Sequence, residues 1–392
     1  MYLQEFYNRC KVDKSLAEKT GFNPYYNLIQ SGLNDPLIIE GREFISLASN
    51  NYLGLAADER VRNACIKAIE KYGASLCGTP IATGYTDLYK TLEDKLSSFL
   101  GLEDTIILPS CYQANNGLFS AIAGKEDLIV ADHFVHSSLL EGIKAAGCKI
   151  RPFLHNNIEH LEQVMQNSSK YRQVFIVTES VFSTEGSIAP FKEIVEIARR
   201  YNAVSVVDDS HGVGVIGSSG RGVLEECHIS GFDGIYTASL GKALANSGGI
   251  ISGKKEIIDY LRYYCSHLVY STAIVPSVLA GVLEVLAIIE QDFEKISNRM
   301  WNYKELISSA LLSSGFEVIG GKAPITSIAC GDAESTLALA KAFYDSSIIT
   351  TPFIEPSVPR NQGRVRLIAG ANLKEESVEK AAKIIKSLKA NK

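Results

Sequence analysis

From about residue 86 onward the chain alternates short β-branched runs with amphipathic helical stretches, joined by short polar segments. That rhythm builds βαβ units and a mostly parallel sheet. Leu88, Leu92, Leu96 and Phe99 fall at helical spacing and Gly101 stops the helix, after which TIILP (105–109) is short and apolar and reads as a buried strand. LIVA (128–131) precedes the helical SSLLEGIKAAG (137–147). VFIVT (174–178) precedes a helix whose first turn starts at Pro190, where a missing N–H costs nothing. VSVV (204–207), GIYTA (234–238) and GGIISG (248–253) complete the sheet.

The pattern changes around Pro276, where residues 277–315 form one long amphipathic stretch that predicts a connecting helix. Residues 316–392 then carry short strands (FEVIG, ITSIA, GRVRLIA) and two helical patterns, which suits a small α+β domain. At the other end, residues 1–50 read as an arm plus a first hairpin, with LIIEGREFISL supplying two strands around Gly41. The expected division is therefore 1–50 arm and hairpin, 51–276 large α/β domain, and 277–392 connecting helix and small domain. At 392 residues the chain is long enough for such a core without disulfides.

Charge and cysteine usage remove several function classes. With 39 Lys+Arg against 44 Asp+Glu the net charge is −5, which offers no basic field for nucleic acid or anionic membranes. No apolar run approaches the roughly 20 residues that span a bilayer, and the charged N-terminus lacks a signal-peptide core, so the expected location is the cytoplasm. The eight cysteines (Cys10, Cys65, Cys77, Cys111, Cys148, Cys227, Cys265 and Cys330) are scattered without a CxxC. Neither a metal site nor a disulfide framework is indicated, and most of them read as small buried hydrophobes.

In open α/β sheets ligands bind beyond the carboxyl ends of the strands. Four sets of reactive side chains follow strands here: Ser110, Cys111 and Tyr112 after TIILP; Glu179 and Ser183 after VFIVT; Asp208, Asp209 and His211 after VSVV; Ser239 and Lys242 after GIYTA. Singly, each has a bland reading as a turn residue, a cap, a solvated charge or a packed imidazole. Converging on one edge, a helix N-terminus, a carboxylate, an imidazole and an amine describe the chemistry of pyridoxal phosphate. Gly212, Gly214 and Gly217 match GxGxxG, but the match follows a strand already ending in Asp-Asp-Ser-His and the SSGRG after it is no helix onset, so a dinucleotide fingerprint is rejected.

The chain resembles the α-oxoamine synthase family of fold-type-I pyridoxal-phosphate enzymes. The resemblance runs from about Pro24 to the C-terminus and rests on SNNYLGLA (49–56), SCYQANNGLF (110–119), ADHFVHSSLLEG (131–142), VTESVFSTEG (177–186), VDDSHGVGVIG (207–217), SLGKAL (239–244), HLVYSTA (267–273) and GRVRL (363–367). It implies the fold-type-I architecture, a large domain with a mostly parallel seven-stranded type of sheet between helices plus a small C-terminal α+β domain. It also implies pyridoxal 5'-phosphate as cofactor and amino acid and acyl-CoA as substrates, condensed with loss of carbon dioxide to an aminoketone. A homodimer with shared active sites is implied as well.

By position, the resemblance makes Lys242 the Schiff-base lysine and the substrate's general base, pairs Asp208 with the pyridine nitrogen and stacks His136 on the ring. His211 and Ser183 would bond the phenolic oxygen and its neighbours, and Ser110, Cys111, Tyr112 and Ser239 the phosphate. Ser271 and Thr272 would reach the phosphate of the other subunit, and Asn50 and Arg366 would bind the amino-acid carboxylate. Two departures, Tyr89 and Leu373 where many members carry His, together with CGTPIATGYTDLY (77–89), are expected near substrate-selecting surfaces.

The motifs within the family are mixed. LVYSTA and SVPRNQGRVRL look like the branch that adds a medium or long acyl group to a small amino acid, SCYQANNGLF like the branch that acetylates glycine, and NPYYNLI with GREFISLASNNYLGL like the branch that joins serine to a palmitoyl group. The mixture does not choose among them, and the first is carried forward as the expectation. An aminotransferase on the same fold and a silent partner subunit are the rivals from other classes, the second disfavoured by the presence of Lys242.

Overall fold

The computed structural model describes residues 2–388. Two short helices, Tyr2–Arg9 and Ser15–Thr20, precede the hairpin of β1 (Leu37–Ile39) and β2 (Arg42–Ser46), which turns at Glu40 and Gly41. The arm is thus partly helical, in polar segments whose periodicity is too short to read.

The central sheet contains β3 (Asp104–Leu108), β4 (Leu128–Asp132), β5 (Lys149–Phe153), β6 (Val174–Glu179), β7 (Val204–Asp208), β8 (Ile235–Ser239) and β9 (Gly249–Gly253). Its seven strands lie in the order β3-β9-β8-β7-β6-β4-β5. Neighbours pair in parallel except β9, which is antiparallel to both β3 and β8. β4 and β6 are buried along their whole length, because helices cover both faces.

Helix ends fall where the sequence supplies caps. Thr86 accepts from Tyr89 N at the start of Asp87–Leu100, and Gly101, at φ 69°, ends it in the left-handed conformation that glycine adopts freely. The helix expected from Pro190 begins one residue later, at Phe191, with the proline outside the first turn. The GxGxxG segment folds as consecutive turns, with the four-residue helix Val223–Glu226 behind it.

Beyond the sheet, Pro276–Ser313 is a single helix of 38 residues, about 57 Å at 1.5 Å per residue. Leu279, Val282, Leu286 and Ile289 pack in the large core, and Tyr303, Ile307 and Leu311 pack in the second core. One rigid rod therefore carries both layers. The second core lies against β10 (Val318–Ile319), β11 (Thr326–Gly331), β13 (Thr351–Phe353) and β14 (Gly363–Leu367), an antiparallel sheet in the order β10-β11-β14-β13. The remaining strand, β12 (Ile348–Ile349), instead runs parallel to β2, so the N-terminal hairpin joins the C-terminal part of the chain.

Of the eight cysteines, all free, Cys265 is buried, Cys10 and Cys77 are exposed and the other five are half-buried. The expectation that most are buried hydrophobes is corrected: several sit on helix flanks, such as Cys65 and Cys227, that are only partly covered.

Candidate active site

Chain direction across the sheet reverses beside β4, with β5 on one side and β6 on the other. At such a switch point the loops leaving the strand ends part and open a crevice. β3 ends at the same edge, since two antiparallel pairings restore its direction. Ser110, Cys111 and Tyr112 after β3, His136 after β4, Glu179 at the end of β6, Asp208, Ser210 and His211 from β7, and Ser239 and Lys242 from β8 enclose a cavity of about 340 Å³.

Glu179 and Asp208 are register partners on β6 and β7, so two carboxyl groups stand side by side at the crevice. Asp208 receives one donor on each oxygen: Ser210 N at 2.9 Å on Oδ1 and Asn115 Nδ2 at 2.7 Å on Oδ2. The Thr237 hydroxyl donates to Asn115 Oδ1 at 2.8 Å, which fixes the amide so that its NH2 faces Asp208 and the Ser138 hydroxyl. Ser138 lies 2.8 Å from His136 Nδ1 in turn. Asn115 is thus the hub that joins carboxylate and imidazole. It lies one turn beyond Cys111 on the helix Cys111–Ile122, inside the SCYQANNGLF motif, and that helical spacing is the signal that could have found it.

The neighbouring Asp209 turns away from the cavity. Its Oδ2 accepts from Tyr236 OH at 2.7 Å and Val223 N at 2.9 Å, and burial pushes its carboxyl up to about 7. The two adjacent aspartates therefore have separate tasks, one at the cavity and one anchoring the turn after β7.

Burial sets the protonation of the imidazoles and the amine. It depresses His136, and it holds His211 well below the usual histidine range with help from the Lys242 charge. The Lys242 amine is also lowered by burial, against the opposing pull of Asp208, so a neutral, nucleophilic fraction is accessible. His211 Nδ1 lies 2.8 Å from the hydroxyl of Tyr52, a buried phenol that the sequence reading did not single out.

The first turn of the helix Cys111–Ile122 forms an anion cradle. Ser110 caps it by accepting from Gln113 N at 3.1 Å, while no described residue accepts from Cys111 N or Tyr112 N. Gly249 lets β9 pass beneath: a Cβ there would lie 2.3 Å from Cys111 Cα and 2.4 Å from its N. Open N–H groups at a helix start, a braced carboxylate and a lysine amine in one cavity fit pyridoxal phosphate, with the cradle for its phosphate, Asp208 for its ring nitrogen and Lys242 for its aldehyde.

A second cleft, about 780 Å³, adjoins this cavity, and His136 and Glu179 line both. Its walls include Phe134, Leu140, Phe182, Phe353 and Val358. Ser183 lies in this cleft rather than in the cavity, and its carbonyl accepts from Arg366 Nη1 at 2.9 Å. Arg366 and Arg364 both lie on β14, two residues apart and hence on one face. Arg364 pairs with Glu185 at 2.8 Å in a buried salt bridge. Arg366 is 5% exposed and has no carboxylate partner among the described residues; its Nε is unbonded and its guanidinium lies over Phe353. A buried cation with free donors matches an incoming carboxylate.

Of the other expected residues, Asn50 has a buried Oδ1 without a partner and lines neither space. Ser271 accepts from Gln113 Nε2 at 3.3 Å and Thr272 is exposed, so neither reaches the cavity of its own chain. Tyr89 and Leu373, expected near substrate-selecting surfaces, are buried in the two cores. Tyr89 OH accepts from Ile274 N at 3.0 Å, and Leu373 packs beside Val378 and Ile385. Their apolar bodies are used for packing, which corrects the expectation drawn from the departures.

The sequence profile of the family "Aminotransferase class I and II" matches residues 42–385. Among curated proteins, the chain is 34% identical over 372 residues to 8-amino-7-oxononanoate synthase of Thermosipho melanesiensis, covering 94% of this chain and 95% of that protein. It is 32% identical over 381 residues to 2-amino-3-ketobutyrate coenzyme A ligase of Salmonella typhimurium, covering 96% of each. Among solved structures, serine palmitoyltransferase of Sphingomonas wittichii superposes with a TM-score of 0.91 at 26% identity, covering 95% of this chain and 94% of that one.

Proposed function

The chain belongs to the α-oxoamine synthase family, within the class I and II aminotransferases, and from that premise we propose that it condenses a small amino acid with an acyl-CoA thioester, releasing carbon dioxide and the thiol. The reaction is of the 8-amino-7-oxononanoate synthase kind. The observation that carries this reading is the cleft, part aromatic and aliphatic and part charged, that shares the His136 and Glu179 wall with the cavity of Lys242 and Asp208, giving an acyl thioester its own space beside the amino acid.

Pyridoxal 5'-phosphate, when bound, supplies a sink for the electron pair released at the amino acid's Cα. The chain's residues do the rest. Cys111 N and Tyr112 N, with the hydroxyls of Ser110 and Ser239, hold the phosphate. Asp208, braced by Asn115 and Ser210, would keep a proton on the ring nitrogen, and His136 would pack against the ring. Tyr52 has no other acceptor for its proton among the described residues, so its hydroxyl donates to His211 Nδ1 and leaves Nε2–H to bond the ring's phenolic oxygen. Arg366 and Asn50 are assigned to the substrate carboxylate, so that the Cα–H is turned toward the Lys242 amine, which removes that proton. Ser183 lines the cleft.

Ser271 and Thr272 fit contact with the cofactor site of a second copy in a homodimer. Among the described residues no helix is long and apolar enough to cross a membrane, and with the net charge of −5 this suits an enzyme acting in the cytoplasm without nucleic-acid partners. A second reading, acetyl transfer to glycine, is favoured by the Salmonella relative.

The test is to titrate the holoenzyme's visible absorption with glycine, alanine and serine, and then to assay carbon dioxide and free thiol with acyl-CoAs of increasing length. Release of both products with a medium or long acyl chain supports the proposal, and a preference for acetyl-CoA with glycine supports the second reading. Amino transfer to a keto acid without thiol release would make the protein an aminotransferase. Lys242→Ala is expected to abolish turnover.

A further inference from the structure

The proposed condensation takes one proton from the substrate and needs two. Lys242 removes the proton of Cα; one is required at the sulfur when the C–S bond breaks, and another at Cα after carbon dioxide has left. An amine that gained one proton returns one. A second acid is therefore required, near the thioester rather than near Cα, and the following assignment rests on the function proposed above.

Glu179 occupies the matching place. It ends β6, is 5% exposed, and lies on the wall common to the cofactor cavity and the cleft. No Lys or Arg forms a salt bridge with it among the described residues, whereas Glu185, six residues on, is neutralised by Arg364. The charged and titratable groups facing it are Asp208 from β7, Lys242 after β8, Glu185 in the turn after β6, Cys111 at the start of the helix Cys111–Ile122, and His136 at the start of the helix Ser137–Ala146. Burial, reinforced by the charge of Asp208 and opposed by Lys242 and the backbone N–H of His136, raises its carboxyl well above the usual range. Asp208 is supplied with two hydrogen-bond donors, Glu179 with the single backbone N–H of His136. Two adjacent carboxyls in unlike environments are the pattern that separates an acid from an anion. His136, the other titratable group on the shared wall, is depressed by burial, which favours its neutral form.

We propose that Glu179 is a catalytic acid of this chain, protonating the sulfur of the departing thiol. As the C–S bond breaks, its electron pair goes to sulfur, the carbonyl re-forms, and the proton moves from the Glu179 carboxyl to sulfur, leaving a carboxylate. Lys242 then returns its proton to Cα when the Cα–carboxylate bond breaks. Glu179 is reprotonated from water through the open cleft as the thiol departs, so each turnover draws one proton from solvent. A thiolate released unprotonated would add a negative charge next to the Glu179 wall that the cleft shares with the cavity holding Asp208, and proton transfer from Glu179 removes that charge.

The test uses the holoenzyme, Glu179→Gln and Glu179→Asp, with thioesters of an alkyl thiol and of an acidic aryl thiol that departs without help. In Glu179→Gln we expect alkyl-thioester turnover to fall about 100-fold, in the range of a lost general acid. With the aryl thioester the loss should shrink to less than about tenfold, and exchange of the amino acid's Cα–H with deuterated solvent should stay near the wild-type rate, because Lys242 alone performs it. Glu179→Asp, which keeps an acid, should recover part of the alkyl-thioester rate. Independently of turnover, the infrared spectrum of the cofactor-free protein should show a protonated carboxyl near neutral pH that Glu179→Gln removes. Equal losses with both thioesters, lost Cα–H exchange, unimpaired turnover, or no such infrared band would each overturn the assignment. A wild-type enzyme that condenses no amino acid with any thioester would instead overturn the function reading on which it rests.

Discussion

The hydroxyl of Tyr52 lies 2.8 Å from Nδ1 of His211, two buried rings that meet edge to face across 159 residues of chain. Because burial keeps the phenol protonated and the imidazole neutral, this contact determines which ring nitrogen of His211 faces the cavity as a donor. Tyr52→Phe should release the tautomer while preserving the packing. We expect nitrogen chemical shifts of labelled histidine in the cofactor-free protein to report mixed tautomers. Turnover should fall about fivefold, the effect of one hydrogen bond of about 1 kcal/mol. Shifts identical to wild type would remove Tyr52 from this role.

Asn115 stands between Thr237, Ser138 and Asp208, so Asn115→Ala takes a partner from three buried groups and leaves the Thr237 hydroxyl without the one it donates to. An unmet buried partner costs about 1–3 kcal/mol, and the loss should appear first in cofactor binding, because Asp208 is no longer held toward the ring nitrogen. Weakening of pyridoxal phosphate affinity by one to two orders of magnitude, measured by fluorescence quenching, is the expected outcome of about 2 kcal/mol. Unchanged affinity would mean that Ser210 N alone positions Asp208.

How much of this was readable from the chain depends on how local the information is. β3, β4, β6, β7 and β8 are short apolar β-branched runs because they are buried on both faces, and they are visible in the sequence for that reason. β5 is not: it lies at the sheet edge, exposes Lys149 and contains Pro152, so its pattern resembles a loop. The pairing of β2 with β12 joins residues about 300 positions apart through a two-residue strand, a long-range contact that no local pattern announces. In the site, strand ends marked Asp208, Lys242 and Glu179, while Tyr52 and Asn115 act through partners distant in sequence. Nor does GRVRL say which arginine is satisfied, since Arg364 and Arg366 are equivalent in spacing and differ only in whether Glu185 stands opposite.

That pair gives opposite predictions for one substitution. Arg364→Met leaves Glu185 buried without its cation, and breaking such a pair costs about 3–5 kcal/mol, which urea unfolding should register as a lower midpoint. Arg366→Met removes a cation that has no carboxylate partner, so the fold should be as stable as wild type or more so, while the KM for the amino acid rises about 100-fold, the scale of a lost buried charge-assisted contact. If the stability losses were equal, the distinction between a structural and a binding arginine would be wrong.

Asp209 predicts a pH dependence. Its carboxyl is raised from 3.8 to about 7, chiefly by burial, with the donors Val223 N and Tyr236 OH opposing the shift only in part. Between those values the folded state keeps a proton that the unfolded chain has lost, so this group's contribution to stability is full below about pH 4 and declines until the pH passes about 7. The shift corresponds to a decline on the order of 4 kcal/mol over that window. Asp209→Asn retains an oxygen to accept from Val223 N and Tyr236 OH but cannot ionise. Urea unfolding should therefore find the variant's advantage over wild type growing from pH 5 to pH 8, with no change in m. An advantage that is constant with pH would show that Asp209 enters the folded protein already ionised.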